Sequence, residues 1–269
     1  MKKITHLFLI VISFFSCDDN SLVLENPYED VDYEVLAQED DVKIVEFLST
    51  HYYNERLDSI KLVENGELSL FNDTDNLKVE ELTNSIDNKA ITFKLYTYLI
   101  DKGFETKGKP TNIDSLLVNY SGRILNSENT LNSTEFDSNT TTWIKTGILG
   151  WSYGFTNFSP AEQNYVFGEK ISFDHPGRGF IFIPGGLAYP SNGFVPGYSS
   201  QNILFDETLV FKVELLSFKE DTDHDNDGIP SILEDPDCDG NPRNNFSDKN
   251  TPTLPDFLNP NISESYICN

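Results

Sequence analysis

From Ile91 onward the chain alternates strand-like runs with turns, and this pattern restricts its fold more than any other feature. Ile91–Ile100, Ser115–Tyr120, Gly179–Ile183 and Thr208–Phe218 are rich in β-branched and aromatic residues, and glycine and proline cluster between them. Such runs pack well on a pleated, half-buried surface and poorly on a helix. They predict a mostly antiparallel β domain spanning 91–220. At Lys219 or Glu220 the composition changes abruptly to acidic and apolar-poor.

What the chain lacks narrows its chemistry. The formal net charge of −25 repels nucleic-acid phosphates, and no basic stripe offsets it. The four histidines, His6, His51, His175 and His224, are scattered, and no two cysteines fall in a CxxC pair. Nucleophile elbows, phosphate loops and HExxH are all missing. Nucleophilic and zinc chemistry are therefore disfavoured.

Residues 1–16 have the layout of a secretory signal peptide. Lys2 and Lys3 precede the apolar run Leu7–Phe15, which is too short to span a bilayer permanently. Cys17 follows Ser16 immediately and resembles a lipoprotein cleavage site, although Phe14-Phe15 departs from the usual aliphatic-then-small pattern. That resemblance implies lipidation at Cys17, export and membrane attachment, each buried methylene contributing about 0.8 kcal/mol. Residues 17–40 read as anchor and polar tether. In the accessory region 41–90, Asp40-Asp41 predicts the cap of a helix presenting Ile44, Phe47, Leu48 and Tyr52. Asn65-Gly66 predicts a hairpin turn, and Asn76–Ile86 a second helix. This region would brace the next domain or pair two copies.

Five stretches between residues 91 and 219 carry a family resemblance. They are Leu117-Val118-Asn119-Tyr120-Ser121-Gly122, Phe136-Asp137-Ser138, Gly147-Ile148-Leu149-Gly150-Trp151, Ile183-Pro184 with Leu187-Ala188-Tyr189, and Thr208 through Leu216. In this order they resemble the motifs of FKBP-type peptidyl-prolyl cis-trans isomerases. The resemblance implies an α+β fold, an FKBP-like curved antiparallel β-sheet wrapped around a short helix that starts near Trp151. It also implies a proline pocket with Trp151 as floor and Tyr120, Phe136 and Phe211 as walls. Ile148 would sit beside Trp151, Tyr189 would direct its hydroxyl at the peptide carbonyl, and Asp137 would stand at the rim. Core packing is the alternative role for any one of these aromatics. Trp143 is the candidate for a further wall, and either Val195 with Pro196 or Ile203 for an apolar contact after Tyr189. The unusually long connection Ser159–Pro176 predicts a loop or small hairpin near the pocket. Such a site needs no cofactor for catalysis.

In the tail, Asp223, Asp225, Asp227, Gly228 and Glu234 fit D-x-D-x-D-G followed by five residues and Glu, the spacing of a calcium loop, with Ile229 offering its carbonyl. Asp235, Asp237, Asp239 and Gly240 restart the pattern, with Phe246 at the closing position. Pro230 argues against paired EF-hand helices. The run, closing at Leu254-Pro255-Asp256-Phe257-Leu258, resembles thrombospondin type 3 repeats, which implies an irregular calcium-organised segment over 221–269. Its eight carboxylates between 221 and 239, without Lys or Arg, would repel one another in the absence of cations. Outside the cytoplasm Cys238 and Cys268 could pair as a disulfide.

The expected function is prolyl isomerisation on proline-containing segments of exported or envelope proteins. The alternatives are a proline-segment-binding assembly module with little turnover and a structural surface lipoprotein with a calcium-stabilised stalk.

Overall fold

The computed structural model describes residues 31–132, 134–145, 147–191 and 204–268. The leader, Cys17 and the Val195, Pro196 and Ile203 positions lie outside the described residues. The fold is α+β. Helix α1 (Tyr33–Thr50) leads into a small hairpin, β1 (His51–Asn54) with β2 (Ser59–Leu62). The main sheet contains β3 (Leu77–Ile86), β4 (Lys89–Asp101), β5 (Ser115–Ile124), β6 (Asp137–Ile144), β9 (Gly177–Ile183) and β10 (Leu209–Lys219). Helix α2 (Leu149–Phe155) and a second hairpin, β7 (Glu162–Asn164) with β8 (Ser172–Asp174), fall between β6 and β9. The strands run in the order β3-β4-β9-β10-β5-β6, each pair antiparallel.

The four strand-like runs become β4, β5, β9 and β10. Alternation along them sends successive side chains to opposite faces. Ile181 and Ile183 join one core with Trp151 and Phe155 of α2, together with Val118, Phe211, Val213 and Leu215. Phe180 and Phe182 join the other, with Ile44, Phe47 and Leu48 of α1 and Tyr96, Tyr98 and Val210. The sheet is thus apolar on both faces and covered by a helix on each. Register shifts at Val118/Tyr120 and Leu215/Ser217 bend strands that carry the site. α2 lies against the sheet because Gly150 has no side chain: a Cβ there would meet Ile183 Cγ2 at 2.4 Å.

The region before residue 91 differs from the sequence expectation in four ways. Asn76–Ile86 is not a helix; Leu77–Ile86 is the outer strand of the main sheet, paired with β4 throughout. Its turn, Asp87-Asn88, takes positive φ at both residues (51° and 61°), as a tight hairpin requires. α1 begins inside the stretch read as tether, where Asp32 Oδ1 accepts from the Glu34 and Val35 amides. Tyr52 lies on β1 rather than on the helix. The hairpin turns at residues 55–58, and Asn65-Gly66 is a bend held by the Glu67 carboxylate.

Asp40 and Asp41 therefore sit mid-helix. Asp40 is fully buried. Its carboxylate accepts from the Gly185 amide at 2.8 Å and from the Thr208 hydroxyl, with Lys43 at 3.4 Å. Burial raises its pKa despite these partners. It ties α1 to the turn after β9 and to the entry of β10. Asp41 accepts from Tyr96 and Lys94 on β4.

The tail, from Asp221 on, contains 3₁₀ turns at Ser231–Leu233, Pro242–Asn244 and Asp256–Leu258 and no α-helix among the described residues. Cys238 and Cys268 are disulfide-bonded. No helix among the described residues is long and apolar enough to cross a membrane.

Candidate functional site

The seven pocket residues read from the motifs come from five separate parts of the fold and line one cavity of about 360 Å³, open to solvent. β5 supplies Tyr120, and β10 supplies Phe211 beside it. Phe136 and Asp137 stand at the start of β6. Ile148 and Trp151 come from the entry and first turn of α2, and Tyr189 from the turn after β9. Two further residues, Ile144 and Gly147, complete the lining.

The rings interlock edge to face. Trp151 meets Tyr120 at 5.1 Å and 90°, and Phe211 at 4.9 Å and 88°. Phe136 meets Phe211 at 5.5 Å and 86°. This geometry sets the positive edge of one ring against the negative face of the next. Trp151 and Phe211 are buried, whereas Asp137 is exposed at the rim. Gly122 makes the arrangement possible. A Cβ at that position would lie 2.6 Å from Phe136 Cζ and 2.7 Å from Phe211 Cε1.

Polar groups are few and placed. The Tyr120 hydroxyl donates to Asp137 Oδ2 at 2.8 Å. Burial, and then the neighbouring carboxylate, push the Tyr120 pKa up to about 12. Burial, reinforced by the Asp137 charge, also raises that of Tyr189. Both phenols thus stay protonated and able to donate at neutral pH. Trp151 Nε1 is buried without a hydrogen-bond partner among the described residues.

Two expectations are corrected here. Trp143 does not line the cavity. It is half exposed and borders a different depression, with Ser115, Phe218 and His224. Its strand neighbour Ile144 points the other way and takes the wall position. The Ser159–Pro176 segment is a hairpin, as expected, but none of its residues lines the cavity. It docks instead on the last part of β10, with Gln163 Nε2 donating to Ser217 Oγ at 2.8 Å.

In the tail, carboxylate oxygens of Asp223, Asp225 and Asp227 lie within 4.8 Å of one another. Gly228, at φ +99°, makes the turn, and Asp223 accepts from the Asn226 and Gly228 amides at 2.7 and 3.0 Å. Glu234, 1% exposed, has both oxygens buried and unpartnered, as are Asp225 Oδ2 and Asp227 Oδ2. Burial, and then the charges of Asp225, Asp227 and Asp223, push Glu234 up to about 8. A buried acceptor with no donor is costly. The donorless oxygens of Asp225, Asp227 and Glu234, beside the converging aspartates, fit a hard cation such as calcium. Asp223, Asp225, Asp227 and Glu234 would hold it with the Ile229 carbonyl. Asp235, Asp237 and Asp239 also converge, but Asp235 and Asp239 are already partnered by Gly240, Asn245, Asn241 and Asn244.

No protein-family model matches the chain, and no curated protein matches it. Among solved structures it is similar to a peptidyl-prolyl cis-trans isomerase from Pseudomonas syringae pv. tomato, at 17% identity over 71% of this chain and 98% of that one, with a TM-score of 0.37. It is similar to FkpA from Escherichia coli at 22% identity over 70% of this chain and 63% of that one, with a TM-score of 0.35. A third likeness is to the N-terminal domain of FKBP42 from Arabidopsis thaliana, at 18% identity over 53% and 96% of the two chains and a TM-score of 0.33.

Proposed function

We propose that the chain is a peptidyl-prolyl cis-trans isomerase acting on X-Pro bonds through the Trp151 pocket. The observation that carries this reading is the set of edge-to-face rings around Trp151, with one exposed carboxylate at the rim and, among the described residues, no nucleophile or acid–base pair facing it. Rotation about X-Pro breaks no covalent bond but must cross a barrier of about 18–20 kcal/mol. In the twisted amide, resonance is lost and the carbonyl is less polarised. An apolar cavity therefore favours the twisted state over the planar ones. The proline ring would lie on the Trp151 indole between Tyr120, Phe136 and Phe211. The Tyr189 hydroxyl would donate to the peptide carbonyl. Asp137 would hold Tyr120 in place and set the field at the rim.

The test is cis-to-trans isomerisation of a short X-Pro peptide with Asp137→Ala beside the unmodified chain. Removing Asp137 severs one charge-assisted hydrogen bond at an exposed position. The expected result is a roughly tenfold loss of kcat/KM, about 1.4 kcal/mol, with thermal stability nearly unchanged. Full activity in the folded variant removes Asp137 from the site.

The same reading includes calcium in the 223–234 loop, supported by the orphaned Glu234 oxygens. Calcium at a hundred times its Kd would stabilise the loop by about 2.7 kcal/mol. The tail is expected to resist proteolysis in calcium and to be cut readily in chelator. Equal cutting in both conditions contradicts the metal site. Export and attachment through Cys17 belong to the proposal as well, with proline-containing segments of exported proteins as clients.

A further inference from the structure

The floor of the pocket, Gly147 to Tyr153, is gripped at both ends by the acidic tail. On one side His224 Nε2 donates to the Lys145 carbonyl at 2.9 Å, two residues before Gly147. That leaves Nδ1 to accept from the Ser231 hydroxyl at 2.9 Å. On the other side Arg243 donates from Nη2 to Ser152 Oγ at 2.9 Å and from Nη1 to the Asn112 carbonyl at 2.8 Å. Asn112 Nδ2 and the Tyr153 hydroxyl both donate to the Gly240 carbonyl, at 2.6 and 3.2 Å. Ser152 and Tyr153 directly follow Trp151 on α2.

Both grips belong to acidic loops. His224 is the second residue of the 223–234 loop, and Gly240 is the sixth of the loop that starts at Asp235. The tail has little core of its own. Among the described residues its buried apolar side chains are Pro242 and Phe257, whose ring meets the His224 ring edge to face at 5.4 Å. Among the described residues Arg243 has no ion pair. Its guanidinium fork is directed into the domain, against Ser152 and Asn112, rather than at the acids around it. The position of these anchors therefore depends on the shape of loops whose carboxylates repel one another.

We propose that a divalent cation held by the 223–234 loop acts on the proline pocket, the ordered tail being a clasp that fixes the Trp151 floor, with Arg243 and His224 as its positioning residues. This rests on the isomerase and calcium readings above. Loss of the cation lets the carboxylates spread and releases the Lys145 and Ser152 contacts, so the floor loosens. Coupling between sites is reciprocal: a proline peptide in the pocket tightens calcium binding by the same factor.

The experiment uses the full chain, with calcium chloride, chelator and an X-Pro peptide. Amide hydrogen exchange across α2 and calorimetric calcium binding are read with and without the peptide. In the unmodified chain, calcium is expected to slow exchange at Gly147–Phe155 by about tenfold, and saturating peptide to lower the calcium Kd about fivefold. Arg243→Ala keeps the calcium stoichiometry but loses both effects. Glu234→Gln loses calcium binding and the protection of α2 together. Calcium binding that leaves α2 exchange unchanged overturns the clasp, as does an Arg243→Ala chain that retains the coupling. Absence of calcium heat in the unmodified chain defeats the metal reading, and the clasp with it. Absence of isomerisation at any calcium level defeats the isomerase reading alone, since α2 exchange still reports on the clasp.

Discussion

A Trp151→Ala chain is expected to lose at least about a hundredfold in kcat/KM on an X-Pro peptide, close to 2.7 kcal/mol of transition-state stabilisation. The indole is the floor of the cavity and also its keystone, since Tyr120, Phe155 and Phe211 all pack on it. Truncation removes the apolar surface on which the proline ring would rest and opens the cavity to water. The same change is expected to cost about 3–5 kcal/mol of stability, as buried aromatic truncations do. Trp151→Leu separates the two effects. It keeps an apolar side chain between Phe155 and Phe211, so the fold should survive while activity stays low. Activity within twofold of the unmodified chain in a folded Trp151→Leu protein contradicts the role given to the indole.

The second large effect lies far from the pocket, at Asp40. Asp40→Ala leaves the Gly185 amide and the Thr208 hydroxyl without their acceptor and Lys43 without its counter-charge. Unpaired buried donors cost about 1–3 kcal/mol each, and breaking a buried charged contact about 3–5 kcal/mol in total. For a chain of this size that corresponds to a fall in Tm of roughly 10–15 °C, measurable by calorimetry. Because Gly185 precedes the turn that carries Tyr189, isomerase activity should fall as well. A Tm within 2 °C of the unmodified chain shows that α1 does not depend on this contact.

These two residues show what the sequence reveals and what it conceals. Trp151 is legible because it sits in a local motif, Gly147-Ile148-Leu149-Gly150-Trp151, and the other pocket residues lie in similar short patterns. Strand identity is legible where β-branched and aromatic residues dominate, as in β4 and β10. Asp40 is not legible, because its partners lie about 145 and 168 residues away and only the fold brings them together. Leu77–Ile86 reads as a helix because Lys78, Glu80, Glu81 and Leu82 favour one locally. Pairing with β4 overrides that preference, and the signal that could have found it is the Asp87-Asn88 turn. The choice between Trp143 and Ile144 depends on register, which a single residue's shift reverses. The acidic loops are legible from their spacing, but the contact of Arg243 with Ser152 on α2 spans 91 positions and only the fold brings it about.

The central claim is tested most directly by exchange spectroscopy on a short X-Pro peptide mixed with the full chain in calcium. Exchange between cis and trans resonances that is too slow to see alone should become visible with catalytic amounts of protein, and should vanish with Trp151→Leu. A folded chain that binds the peptide without speeding exchange would contradict the isomerase and leave a proline-binding module in its place.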